Sequence, residues 1–404
     1  MRRPHPTVVA AVAVAAVMLS ACSSSKSGSG GTKAGGTIKL GVMTDSTGVA
    51  SSAYQTTEKG IKAYVDAVNA AGGVNGKKLS YVITDTTSTT SGALTAAQKL
   101  VQSDKVFAVI SVSALFFAAE PYLLQQNVPV VGYGFDGPEW ADKKNTNLFA
   151  VLVNNVDKVY TTTGDYLKSR GATACAAIGY ADSSSSKKSA NGSLKSCEHA
   201  GLRSAYVNQI STGTTDVGPI ALAIKQSGAD SVYLPIDPST GFAIAGALQQ
   251  LGVKLKSLVF ATGYGGDLLA SSAAVKAAQG YQFGSIGQPV EMNTPATQKF
   301  VKNLAAVGVA TTPTFAEQAS YLAMSAFVAG LRAAGADPTQ SSFMSALRGV
   351  KNFDADGLIS PLKRDFSDYA PTQACSWVVE LSGQKFTPEP NTPTCGTLIP
   401  GVKP

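Results

Sequence analysis

Short apolar runs alternate with longer amphipathic runs along most of this 404-residue chain. The repeat is clearest in VFAVISVSALFFAAEPYLLQQNVPVVGYGFD, residues 106–136. Residues 106–110 form an apolar run of strand length, and residues 128–131 form another. Between them Ser113 stands where a helix N-cap belongs, and 114–127 has the length of a helix. Two strands joined this way are parallel. Before this unit the pattern predicts strands at 37–42 and 78–85, with helices at 54–70 and 91–102. In the first helix Ile61, Tyr64, Val65 and Val68 share one face, and the Gly-rich stretch 71–76 ends it.

The alternation continues beyond residue 150. Helices are expected at 154–170, 187–200, 218–227 and 241–251, interleaved with strands at 174–180, 203–209, 231–234 and 257–261. A strand at 279–285 turns back toward the first series. Helices follow at 294–306, 315–335 and 341–349. Residues 355–375 are loop-rich, 376–381 read as a strand, and 388–404 read as a Pro/Thr tail held by Cys395. Two successive βα series predict an α/β protein with two doubly wound parallel sheets.

Open parallel sheets bind ligands outside the C-terminal ends of their strands. At that edge a helix starting near Ser113 would present free N–H groups and a hydroxyl to an anion. The next loop, Gly132-Tyr133-Gly134-Phe135-Asp136, adds two rings and a carboxylate. An anion receptor facing an acidic, aromatic loop suits a zwitterion such as an amino acid. Ser113→Ala is therefore expected to weaken a carboxylate ligand, and Asp136→Asn an ammonium-bearing one.

Length and composition narrow the picture. A chain of 404 residues with 44% hydrophobic content can fill two cores. Net charge of +7 is modest, and no dense Lys/Arg run is interleaved with aromatics, so nucleic acid is not an expected partner. Residues 1–22 have the layout of an export signal: Arg2 and Arg3, then an apolar stretch at 7–19 too short to span a bilayer. Leu19-Ser20-Ala21-Cys22 resembles the lipobox of bacterial lipoproteins, which implies cleavage before Cys22, a lipid on its thiol and an extracytoplasmic, membrane-tethered protein. Residues 23–36 would be the flexible tether. Four cysteines remain, and in an exported chain they suggest two disulfides. Proximity favours Cys175–Cys197 and Cys375–Cys395. Neither pair is CxxC, and His199 is the one histidine left after the signal, so no metal site is expected.

The order and spacing of several segments resemble the branched-chain amino acid type of periplasmic substrate-binding receptor for ABC transporters. The segments are Asp45-Ser46-Thr47-Gly48, AYVDAVNAAGGVNGKKLSYVITDTTS (63–88), AAQKLVQSDKVFAVIS (96–111), GADSVYLP (228–235) followed by FATGYGG, and AEQASYLAMSAFVAGLRAAGADP (316–338). The resemblance implies a type I periplasmic-binding-protein fold, with two lobes joined by three crossovers and closing on a ligand by hinge motion. By analogy one lobe is 37–153 plus 284–357, the other is 154–283 plus 358–380, and 381–404 is a C-terminal tail. The family's carboxylate-binding serine falls on Ser113. Its ligand-facing backbone position falls on Gly134 and its hydroxyl position on Asp136. Its second-lobe acid falls on Tyr264, which carries no charge at neutral pH. A second-lobe aromatic position falls on or beside Asp237. The ammonium partner has thus moved to Asp136 or Asp237, or is lost, while Tyr133, Phe135 and Tyr264 would supply aromatic walls.

The resemblance implies a monomeric, non-catalytic lipoprotein without cofactor. It would capture an amino acid or a related carboxylate or amide and deliver it to an ABC permease. A tethered sensor with no transport role uses the same features. Enzyme readings fare poorly. The G-x-G-x-x-G at 132–137 runs straight into Pro138 and lacks a strand-end acid at the required distance. A Ser-His-Asp triad would have to use His199, set in a surface-like helix.

Overall fold

The computed structural model describes residues 35–404, apart from 135, 136, 154, 311 and 370–372. The expected signal at 1–22 with Cys22, nearly all of the tether, Phe135 and Asp136 lie outside the described residues.

The first sheet has five strands: β1 (Thr37–Thr44), β2 (Lys78–Asp85), β3 (Ala108–Val112), β4 (Val130–Gly132) and β5 (Leu148–Ala150). Their order is β2-β1-β3-β4-β5, all parallel. β3 is buried along its whole length because helices cover both faces of the sheet. Ile110 and Val42 enter one core, while Val109 and Met43 enter the other. The helix Phe315–Ala334 closes the first core, packed against the helix Thr57–Ala70. Gly60 permits that approach, since a Cβ there would lie 2.2 Å from the Glu317 carbonyl oxygen.

The second sheet contains β6 (Ala174–Tyr180), β7 (Arg203–Ile210), β8 (Ser231–Leu234), β9 (Ser257–Phe260), β10 (Gln282–Ser285), β11 (Gln373–Ser382), β12 (Lys385–Pro388) and β13 (Thr394–Thr397). The order is β12-β11-β10-β9-β8-β6-β7, with β13 also paired to β11. Strands β6 to β10 are parallel, and β11 returns antiparallel against β10. Two further cores lie on its faces. The chain passes between lobes after β5, after β10 and again before β11, which gives the two-lobed α/β fold that the resemblance implies.

Three expectations are corrected here. The helix expected at 114–127 is broken. A turn at Ala114 and Leu115 leads to a 3-10 turn at Phe116–Ala118, then a short helix at Glu120–Gln125. Pro121 sits in the first turn of that last helix, where its missing N–H costs nothing. Residues 381–404 are no tail: β12 and β13 extend the second sheet, and Cys375–Cys395 bonds β13 to β11. Cys175–Cys197 is the other disulfide, as proximity suggested. The helix expected from 154 begins at Thr162.

Candidate functional site

A cleft of about 880 Å³ opens between the lobes and reaches the crossing segments. That volume lies within the usual range for small-molecule sites. On the lobe-one side, β1 and β3 bring Asp45 and Ser113 together across 68 residues of sequence. The Ser113 hydroxyl donates to Asp45 Oδ1 at 2.6 Å, and the Ala114 N–H donates to Asp45 Oδ2 at 2.8 Å. Thr86 Oγ1 also donates to Oδ1. The Leu115 N–H donates back to Ser113 Oγ at 3.0 Å, so this serine closes a local turn rather than capping a helix. Asp45 is fully buried. Burial pushes its carboxyl upward, the three donors pull it back, and the net displacement is upward. The hydroxyl and N–H expected to receive a ligand's carboxylate thus hold one from the chain itself. Ala114 and Leu115 line the cleft; Ser113 and Asp45 are not among its lining residues.

The loop after β4 is divided in its roles. Tyr133 lines the cleft, its ring edge-on to Phe315 at 6.4 Å. Gly134 does not line it. Its φ of +88° and a would-be Cβ 2.4 Å from Ala150 Cβ make it a packing glycine. Phe135 and Asp136 are the two undescribed positions of this loop.

On the lobe-two side, Asp237 caps the helix Pro238–Gln250, with Oδ1 accepting from the Thr240 N–H at 3.1 Å. Its other oxygen accepts the Tyr180 hydroxyl, which also accepts from the Asp237 N–H at 3.3 Å. Both residues line the cleft at the C-terminal ends of β6 and β8. Ser186, beside them, accepts from the Tyr180 N–H at 2.8 Å and donates to the Pro235 carbonyl. Tyr264 is elsewhere. It is buried against Phe386, and burial with the neighbouring Glu291 holds its hydroxyl well above the usual phenol range. That hydroxyl donates to Glu291 Oε2 at 2.7 Å and accepts from the Val290 N–H at 2.9 Å. It therefore ties lobe two to the segment returning to lobe one and lies outside the cleft lining.

Several lining residues were missed by sequence reasoning, Arg364 and Phe315 among them. Arg364 lies on the last crossing segment, 6% exposed. Its backbone pairs with Phe353, its Nε donates to the Ala150 carbonyl at 3.1 Å, and its Nη1 donates to the Asp365 carbonyl at 2.6 Å. Burial pulls this guanidinium down to about 10. Lys363-Arg364-Asp365 reads as an ordinary charged loop. The one hint of burial is the apolar pair Leu362 and Phe366 on either side. Among the described residues no group of three His, Cys, Asp or Glu could hold a metal ion. Among them, too, no helix is long and apolar enough to cross a membrane.

A two-lobed α/β chain with a cleft at its crossings matches the Periplasmic binding protein family model over residues 37–385. The chain belongs to this family. An amino acid binding protein of Pseudomonas aeruginosa is 23% identical over 205 residues, which are 50% of this chain and 54% of that protein. The chain thus matches about half the length of that curated relative. Among solved structures, a solute-binding protein of an ABC transporter from R. palustris in complex with benzoate superposes with TM-score 0.74 at 17% identity, covering 90% of this chain and 97% of that one. A branched-chain amino acid ABC transporter protein from Thermus thermophilus with bound valine gives TM-score 0.74 at 18% identity, covering 87% and 95%. At those identities the likeness is one of fold. The family and these neighbours are solute-binding proteins, not enzymes.

Proposed function

We propose that this periplasmic binding protein captures an amino acid or a related small carboxylate or amide between its lobes and delivers it to an ABC permease. One observation carries the reading: the 880 Å³ cleft draws its walls from both lobes and from the crossings between them. A ligand touching both lobes stabilises the closed state by its differential affinity for it, and the permease can read that state. Amino acid and benzoate are the solutes named for relatives of this fold. The lining has matching chemistry in Tyr133, Tyr180, Asp237 and Arg364. Asp237 and Asp136 are the proposed ammonium partners. Cys22 would carry the lipid that tethers a monomeric protein outside the cytoplasmic membrane.

The test is a thermal-shift screen of the purified chain against amino acids, aromatic acids, amides, polyols and nucleosides. A ligand at a hundred times its Kd stabilises by about 2.7 kcal/mol. That moves the melting temperature by about 2–4 °C in a protein of this size. A hit among amino acids or aromatic acids is expected; a chain that no solute stabilises is not a solute receptor.

A further inference from the structure

We infer that the cleft takes its ligand's carboxylate on Arg364 at the hinge, and not on Ser113 and Ala114. The inference rests on the solute-binding reading above and adds to it the site that receives the carboxylate.

Two observations carry it independently. The first is the state of the lobe-one edge. Ser113 Oγ and the Ala114 N–H both donate to Asp45, and Thr86 supplies a third donor. An incoming carboxylate would have to displace Asp45 or share its donors at close range, and two carboxylates in one small site repel each other. A displaced Asp45 would then be a buried charge without its hydrogen bonds.

The second observation is the state of Arg364. It lines the cleft while more than nine-tenths buried. Its described hydrogen bonds use Nε and Nη1, and both acceptors are backbone carbonyls. Its Nη2 makes no described hydrogen bond. Among the described residues no carboxylate oxygen lies within ion-pair distance of this guanidinium. Carbonyls supply dipoles but no countercharge. The charges that act on it are Asp368, Asp365 and the like-charged Arg348. Asp365 is already engaged by the Ser367 N–H at 2.8 Å and the Ser367 hydroxyl at 2.6 Å. Arg348 is committed to the Phe366, Thr146 and Leu148 carbonyls. The guanidinium carbon also lies 5.5 Å from the centroid of the Phe366 ring. A buried guanidinium on a cleft-lining residue, with Nη2 making no described hydrogen bond, has the chemistry to receive a planar anion.

A single guanidinium charge matches a monoanion. Of the three lysines in the lining, Lys158 and Lys363 are exposed and the half-buried Lys188 is paired with Asp157 at 2.5 Å, so a phosphate dianion would find little further free charge beside Arg364. Tyr133 and Phe315, both lining the cleft, offer ring surface to the organic part of such a ligand.

The test is titration calorimetry on the full chain with matched acid and amide probes: benzoate against benzamide, and L-valine against L-valinamide. A thermal-shift screen with neutral polyols and nucleosides runs beside it. At least one acid is expected to bind about tenfold or more tightly than its amide. Arg364→Gln should remove that preference, and Arg364→Lys should restore part of it. Ser113→Ala should leave acid affinity within about threefold of wild type. The inference is overturned if acid affinity follows Ser113→Ala and not Arg364→Gln, or if acid and amide bind alike. It is also overturned if only neutral solutes bind, an outcome that leaves the receptor reading intact. No binding by any probe, acid or neutral, removes the receptor reading and the anion site with it. Should Arg364→Gln fail to fold, Arg364→Lys decides. Acid affinity equal to wild type in a folded Arg364→Lys protein overturns the inference.

Discussion

The two sheet edges that face each other across the cleft have similar geometry and opposite uses. In lobe one the polar groups at the ends of β1 and β3 turn inward. Asp45, Ser113, Thr86 and Ala114 close a buried circuit that joins β1, β3 and the loop after β2. In lobe two, Tyr180 and Asp237 at the ends of β6 and β8 keep their pair on the cleft wall. A parallel sheet places polar groups at this edge whatever their purpose. Whether they hold the fold or meet a solute depends on where the nearest carboxylate comes from.

Substitutions on each side can break that contrast. The largest expected effect is Asp45→Ala. It leaves three donors buried without an acceptor, and a loss of about 2–4 kcal/mol in urea unfolding is expected. Ligand affinity of the folded protein should hardly move; a loss under about 1 kcal/mol would mean that the circuit is not structural. Next is Asp237→Asn. Affinity for an ammonium-bearing ligand should fall by at least about tenfold, or about 1.4 kcal/mol, with little change in stability. If Asp136→Asn produces that fall and Asp237→Asn does not, the cation partner lies on the loop after β4. Ser113→Ala is milder, at about 1 kcal/mol of stability, since it removes one donor and leaves Asp45 two.

The smallest effect is on pH dependence. Asp230, at the start of β8, is pushed up by burial, but hydrogen bonds from Ala174, Thr173 and Lys256 outweigh this and hold it at about 2. Its folded value is therefore depressed. The stability it contributes is present above its unfolded value of about 3.9 and is lost as pH falls toward 2. Asp45 has the opposite sign, because its folded value is raised. Its contribution is full below the unfolded value and declines as pH rises through the folded one. Urea melts between pH 5 and 2 should therefore show a shallower acid limb for Asp230→Asn than for wild type. An unchanged limb would remove Asp230 from the acid response.

Much of the fold was legible because a strand buried on both faces reads as an unbroken apolar run, as β3 and β6 do. The misreadings share a cause. Ser113 before an apolar stretch has the local look of an N-cap, but its partner is Asp45, distant in sequence. The last residues have loop composition, yet Pro388 closes β12 at the sheet's edge, where a missing N–H is tolerated. Tyr133 was found from the residue types that follow a strand end, and Asp237 from the resemblance to the family. Arg364 was not, because its burial comes from the chain crossing between lobes, which no local pattern encodes.

The strand order also carries a consequence for synthesis. The first sheet is complete by residue 150, so a chain emerging N-terminus first can pair all its strands early. The second sheet waits. β10 finds β11 only when Gln282 can meet Glu380, 98 residues later, and β12 and β13 come after that. Until those residues arrive, β10 is an open edge with unpaired N–H and C=O groups, the kind of edge on which chains aggregate. A chain that has emerged only to residue 370 would hold one finished sheet and one sticky one, so the hazard in making this protein falls with its last strands.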